Sequence, residues 1–374
     1  MKTKFNYLAL AVIALSLGFS NCSNNDNPDD GNDKENKSVF LKISGGKIST
    51  YAEGVPATDG ATVGFGSGDI YFVNASGAIL VHYTLSSSTT DLGAGNIKLG
   101  DIEAGQLITN LPGQVAAIHV FGNTSGLPTT GNISTVKATL KNVITQGTLA
   151  SVNLYGTTST LTPVSGNDYT ATINLKPTVA RIELKNITST GVITGFRVDG
   201  IFIDNYYYQA AVDGTVAGGN LINNTSDPTL FLENSSTYTA ARKTFVYDYF
   251  TSGITAISQV ATPVTTSNVW GYNLFANTTG SGSFAIPRIV IRLSNITTSD
   301  NSSYTSPQFI TVKGLKEGST SLTSIDAGKV YNIGAGALTF KESDLTPAPN
   351  MAAIDVTVTV SLAEWVVVSV TPEL

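Results

Sequence analysis

Two histidines, one cysteine and a thin scatter of carboxylates are the side chains here that could carry chemistry. His82 and His119 each sit inside a run of alternating apolar residues, which reads as β-strand, so an ordinary strand-face imidazole is expected at both. Two separated histidines and Cys22 make a poor zinc site, because structural zinc needs four convergent ligands. Asp26, Asp30 and Gly31 begin like a calcium loop. Pro28 stands at the third ligand position, however, and Lys37 where a bidentate Glu is required. The glycines of 64–68 precede a strand rather than a helix, so no helix N-terminus is there to hold a phosphate. Tyr206, Tyr207 and Tyr208 could form an aromatic patch for glycans, but rings on both faces of a strand are the simpler expectation. No catalytic constellation, metal or cofactor is expected.

The composition points to export. Only 13% of the 374 residues are charged, against about 25% in an average soluble protein. Ser, Thr, Asn and Gly supply the polarity instead. A net charge of −6 with no Lys/Arg cluster excludes nucleic acid as a partner. Lys2 and Lys4 precede an apolar core over 8–19, too short to span a bilayer, and 1–21 reads as a signal peptide. Cys22, the sole cysteine, follows directly. Its position resembles a bacterial lipobox, although Phe19 and Asn21 depart from the usual residues, so lipidation (palmitate among the acyl groups) is expected at Cys22. Several acyl chains on one residue would anchor the chain stably. Residues 22–37 then form a lipidated acidic tether without apolar anchors. It resembles the surface-export signals of some Gram-negative lipoproteins.

The remainder reads as strands punctuated by Asn, Ser, Gly and Asp turns. In the first, over 38–44, Val39, Leu41 and Ile43 lie on one face and Phe40 and Lys42 on the other. Further strands are expected over 69–73, 78–85, 114–121 and 169–175. Over 133–147 the apolar spacing changes to Ile133, Val136, Leu140, Val143 and Ile144, which predicts a helix capped by Asn132 or Ser134. A new strand after Pro177, over 179–184, marks a domain boundary. Strands over 195–203, 243–249, 286–293, 308–312 and 328–333 follow. The end of the chain carries two β-branched runs. Ile354, Val356, Val358 and Val360 alternate with polar residues; Trp365 then precedes Val366, Val368 and Val370. They form either a closing hairpin or strands offered to a neighbour, since apolar strands must be covered. The expected architecture is all-β with one short helix, in two tandem β-sandwich domains over 38–177 and 178–374.

In order and spacing, these stretches resemble the fimbrillins, the type V pilins of Gram-negative surface fimbriae, in their major-fimbrillin branch. The stretches are Cys22 after its signal, 38–44 before a Gly/Ser-rich loop, 69–77, 115–122, 179–184, 328–333, and Ala363-Glu364-Trp365-Val366 in the terminal run. The resemblance implies transthyretin-like sandwiches, and a structural subunit rather than an enzyme. It also implies a lipoprotein precursor displayed at the outer membrane and assembled by donor-strand exchange. A protease removes the first strand, 38–50, and terminal strands from a neighbouring subunit, here 352–374, fill the groove. Val39, Leu41 and Ile43 would hold that groove beforehand. Ile354, Val356, Val358, Val360, Trp365, Val366, Val368 and Val370 would replace them. The implied partners are other copies of the chain, other fimbrial subunits, the outer membrane through the lipid, and a host or bacterial surface ligand. One departure stands out. The family's cut follows an Arg near Thr50 and Tyr51, but this chain has no Arg before Arg181, and Lys47 is the nearest basic residue. A chain that kept its first strand would be an anchor subunit or a monomeric glycan-binding adhesin; the well-formed terminal strands favour the stalk.

Overall fold

The computed structural model describes residues 35–44, 62–87, 95–224, 227–242, 245–263, 269–277, 286–349, 356–364 and 366–369. The first half runs β1 (Lys37–Ser44), β2 (Thr62–Phe65), β3 (Ser67–Val73), β4 (Ile79–Ser86), β5 (Asn96–Lys98) and α1 (Leu99–Ala104). It continues with β6 (Gln106–Leu111), β7 (Ala117–Gly122), α2 (Ile133–Lys137), β8 (Leu140–Asn142), β9 (Leu154–Thr158), β10 (Thr162–Ser165), β11 (Asp168–Asn174) and β12 (Lys176–Pro177). These make a four-stranded sheet, β10-β11-β1-β6, and a six-stranded sheet, β12-β9-β7-β3-β4-β5. The inward residues of the two sheets, among them Leu41, Ile43, Ile70, Phe72, Ile118 and Val120, share one apolar core. The alternation of β3 explains the layering. Ile70 and Phe72 face that core, whereas Tyr71 and Val73 face a second cluster with Ile133 and Val136 of α2.

The second half opens with β13 (Val179–Leu184), β14 (Ile187–Ser189), β15 (Ile193–Asp204), β16 (Tyr206–Tyr207), β17 (Gln209–Ala211), β18 (Leu221–Ile222) and α3 (Ser235–Ala241). Then come β19 (Tyr247–Thr255), β20 (Val260–Ala261), β21 (Trp270–Phe275), β22 (Arg288–Thr298), β23 (Gln308–Glu317) and β24 (Thr320–Ser321). The last are β25 (Lys329–Ile333), β26 (Thr339–Phe340), β27 (Val356–Glu364) and β28 (Val366–Ser369). One large sheet has the order β19-β15-β22-β23-β27-β25-β13-β21, with β24 added to β23, and a small sheet has the order β20-β14-β26. The large sheet curls until its edges face each other. Tyr272 Oη on β21 donates to Asp248 Oδ2 on β19 at 2.8 Å, and the rings of Phe250 and Trp270 lie 6.3 Å apart. Every residue of β13 is buried, including Arg181 and Glu183. These two pair at 2.7 Å, as charges removed from water must.

The halves are tied by more than the chain between Pro177 and Val179. β17 pairs with β8, Val143 N–H donates to the Tyr208 carbonyl at 3.0 Å, and Val212 N–H to the Thr139 carbonyl at 2.8 Å. Val212, fully buried, completes the cluster around Tyr71 and Phe121. Buried Gln146 accepts from Asn153 N–H at 2.9 Å, and Asn273 of β21 donates to the Gln146 carbonyl. The described residues belong to one compact unit.

Three expectations change. The helix predicted over 133–147 stops at Lys137; β8 and a 3-10 turn, Val143–Gln146, follow. Ile133, Val136 and Val143 are buried as the spacing demanded, but Leu140 and Ile144 are exposed, because β17 captures this segment as a strand. It is not the one helix, for α1 and α3 are also helical. Finally, the two terminal runs do not form a hairpin with each other: β27 lies in the second half's sheet and β28 pairs with β2 of the first.

Candidate functional site

β1 is the first described strand of the chain, yet it lies inside a sheet rather than at its edge. It runs parallel to β11, from Ser38 opposite Asp168 to Ser44 opposite Asn174, and antiparallel to β6, with Val39 opposite Ile108 and Leu41 opposite Gln106. Val39 and Leu41 are fully buried and Ile43 is 1% exposed. Burying three such side chains contributes roughly 5–9 kcal/mol as an upper bound. Polar ties hold the strand's start. Lys37 Nζ donates to the Val115 carbonyl at 2.8 Å and sits 5.0 Å from the centre of the Tyr169 ring. Asn167 Nδ2 donates to Glu35 Oε2 at 2.6 Å. Without β1, β11 and β6 would each present an unpaired backbone edge around an apolar trough, which is costly in water.

The C-terminal strands lie elsewhere. β27 runs parallel to β23 and antiparallel to β25, with Val358 fully buried and Val360 3% exposed, so both valines belong to the chain's own core. Among the described residues β28 pairs with β2 in a short parallel ladder, Thr62–Phe65 against Val366–Ser369. The backbones of Val356, Val366 and Val368 are therefore in strands. Ile354, Trp365 and Val370 lie outside the described residues, as do Cys22, Lys47, Thr50 and Tyr51.

The two histidines lie on the outer face of the six-stranded sheet. His82 Nε2 meets Asp69 Oδ1 at 2.8 Å, and His119 Nδ1 meets the Tyr155 hydroxyl at 2.9 Å. Burial, helped by the charge of Lys137, pushes the His119 imidazole down to about 4, so it is neutral. Lys137 itself pairs with Asp213 at 3.0 Å. Among the described residues no cluster of His, Cys, Asp and Glu could hold a metal. Tyr206 and Tyr207 are buried, and the Tyr206 hydroxyl accepts from Val246 N–H at 2.8 Å, so no aromatic glycan surface forms from them. No helix among the described residues is long and apolar enough to cross a membrane.

No family model and no curated protein matches the chain by sequence. Solved structures match by fold. A Bacteroides eggerthii protein assigned to cell adhesion superposes with a TM-score of 0.52 at 16% identity, over 91% of this chain and 100% of that one. A fimbrilin (fimA) from Porphyromonas gingivalis gives 0.51 at 12% identity, over 90% and 99%. The fold is that of a fimbrilin. A Parabacteroides distasonis protein assigned to cell adhesion gives 0.50 at 14% identity, over 88% and 97%. The likeness therefore extends through both halves and the mostly β architecture.

Two features escaped sequence reasoning. The first is a cleft of about 210 Å³ where β19 and β21 approach, lined by Tyr247, Asp248, Tyr272 and Asn273, with Val143 and Ile144 from the first half. No local pattern announces it, since it depends on how the large sheet curls. The second is Gly105, directly after α1, with φ +103, beneath the Phe40 ring. A Gly closing a helix is a recognisable sequence signal, but its aromatic partner is not.

Proposed function

We propose that the chain is a structural subunit of cell-surface fimbriae that supports adhesion, exported as a lipoprotein precursor through Cys22 and assembled by donor-strand exchange. The observation that carries this reading is the seating of β1. The first described strand forms the middle of a sheet, buries three aliphatics, and is followed by residues 45–61 before β2 begins. Cutting within that connection and withdrawing β1 leaves a slot with two unpaired edges, which an extended strand of a second copy would satisfy. Such a head-to-tail contact propagates into a filament. The shared fold with a fimbrilin supports the same reading. On it, the sequence from 352 onward supplies the donor; β28, held by one short ladder, leaves first, and β27 must then leave the space between β23 and β25. The two halves act as tandem transthyretin-like domains, 38–177 and 178–374.

A second reading is favoured by β27 itself. Because its valines already complete the subunit's own core, the chain could keep β1 and its lipid and serve as an anchor subunit. Electron microscopy of the cell surface, with antibody to this chain, separates the two. Label along filaments that disappears when residues 365–374 are deleted supports the stalk subunit, and label confined to filament bases supports the anchor. Uniform membrane label without filaments would refute both.

A further inference from the structure

The slot between β11 and β6 does not by itself dictate which way a strand lies in it. Its walls run in opposite directions, since β1 is parallel to one and antiparallel to the other. A strand entering either way round would form one parallel and one antiparallel ladder. The inward sites add little, because Val39, Leu41 and Ile43 are aliphatics that read much alike in reverse. Register is weakly specified too. A slip of two residues keeps every side chain on its face. It still places aliphatics in two of the three sites, with Lys37 or Gly45 in the third.

Lys37 and Glu35 mark the strand's start through Val115 and Asn167, and the outward face adds a second mark at its middle. Gly105 ends α1, donating its N–H to the Asp101 carbonyl at 3.0 Å, and its φ of +103 suits glycine. The Phe40 ring lies across it, so that a Cβ at this position would stand 2.6 Å from Phe40 Cε1. Leu107 is the cross-strand neighbour of Phe40. The ring remains 41% exposed, which makes this a shelf at the slot's rim, not part of the core. Slipping the strand by two residues would bring Ser38 or Lys42 to the shelf, and reversing it about Leu41 would bring Lys42. Neither replaces an aromatic ring.

We infer that the bare backbone of Gly105 is an aromatic seat that sets the register and direction of the strand in the slot, and that it selects the chain's own β1 over the terminal strand of a second copy. The second clause rests on the donor-strand reading above. In 356–362, Val356, Val358, Val360 and Leu362 alternate with Thr357, Thr359 and Ser361. Two registers fit the inward sites equally, and each brings a Thr to the seat. Trp365 is the one aromatic residue in this terminal stretch, but it follows Glu364. With Trp365 seated, Glu364 falls on the buried site of Val39 in one direction and of Leu41 in the other, where an unpaired carboxylate is excluded. The second copy therefore competes with an empty seat, and removal of β1, not its transient opening, licenses exchange.

The test uses the full-length, unlipidated chain with a specific protease site placed within 45–61 and a fluorophore on Cys22. The chain is folded, nicked and challenged with synthetic peptides, and release of the β1 segment is read as a fall in anisotropy. A 37–44 peptide should release it, and its Phe40→Ala form should need about tenfold more, the worth of a half-buried ring. A 355–363 peptide should be as weak as the Phe40→Ala form and gain about tenfold from Thr357→Phe. In a Gly105→Ala chain the preference for Phe over Ala should vanish. Equal potency of the Phe40 and Phe40→Ala peptides, or no gain from Thr357→Phe, would overturn the seat while leaving the slot intact. Release by no peptide would mean the slot does not exchange, and the donor-strand reading would fall with the inference.

Discussion

Val358→Asp probes the structure's strongest claim about the terminal strands. Val358 is fully buried in β27, between β23 and β25, in the chain's own sheet. The change removes about 1.5 kcal/mol of apolar burial and leaves a carboxyl group without a partner, at about 3 kcal/mol more. The intact chain should therefore lose about 4.5 kcal/mol. At about 2.1 cal/mol/K per residue, and for one cooperative unit of this size, that lowers Tm by roughly 6 °C. Burial raises the pKa of the new carboxyl in the folded state, so below about pH 4 only the cost of the protonated group remains, and the loss grows as pH rises from there through the raised value. The assay is a thermal melt of the intact chain at pH 4 and pH 8, with Val164→Asp as control, since Val164 is 65% exposed. The control should shift stability by no more than about 0.5 kcal/mol. An unchanged melt at pH 8 would refute the placement of β27 in the subunit's core, and equal losses at both pH values would refute burial of the new carboxyl.

Other outcomes follow from the same geometry. Cys22→Ala should abolish labelling by a fatty-acid probe and release the chain from the membrane fraction; continued labelling would exclude lipidation there. Limited trypsin digestion of the intact chain should cut first between 45 and 61, at Lys47, and mass spectrometry of the first fragments would show otherwise if β1 were not a separable strand. His119, held neutral with its pKa pushed down to about 4, contributes stability that is complete above about pH 6.5 and lost as pH falls toward 4. His119→Gln should flatten that slope, a change on the order of 1 kcal/mol because the ring is partly screened by solvent. Burial pushes Glu103 up to about 7, so its contribution runs the other way and is lost as pH rises toward 7; Glu103→Gln should remove that loss in the same titration.

Strand β1 was largely legible in the sequence, and the reason is local. The alternation of Val39, Leu41 and Ile43 with Ser38, Phe40 and Lys42 specifies a half-buried strand wherever it docks. Its two wall strands could not be read, because pairing to β11 joins residues about 130 apart. The terminal runs show the same limit. Their two-residue period correctly implies strands, but it says nothing of the partner, and β27 and β28 go to different halves. At 133–147 the pattern misled for a physical reason. Leu140 falls at helical spacing from Val136, yet backbone pairing with Ala211 outweighs the weak preference of a Thr- and Val-rich stretch for helix. The histidines, read as ordinary strand-face imidazoles, have polar partners in Asp69 and Tyr155. Phe40 was visible as an outward residue, but its meaning depended on Gly105, and tertiary structure alone brings the two together.

The proposed donor-strand exchange requires that β1 leave before a second copy enters. N-terminal sequencing of this chain from filaments sheared off the cell surface tests that directly. A mature N-terminus within 45–61, with 37–44 absent from the filament fraction, is the predicted result. Filament subunits that still begin at Cys22 and retain 37–44 would contradict it.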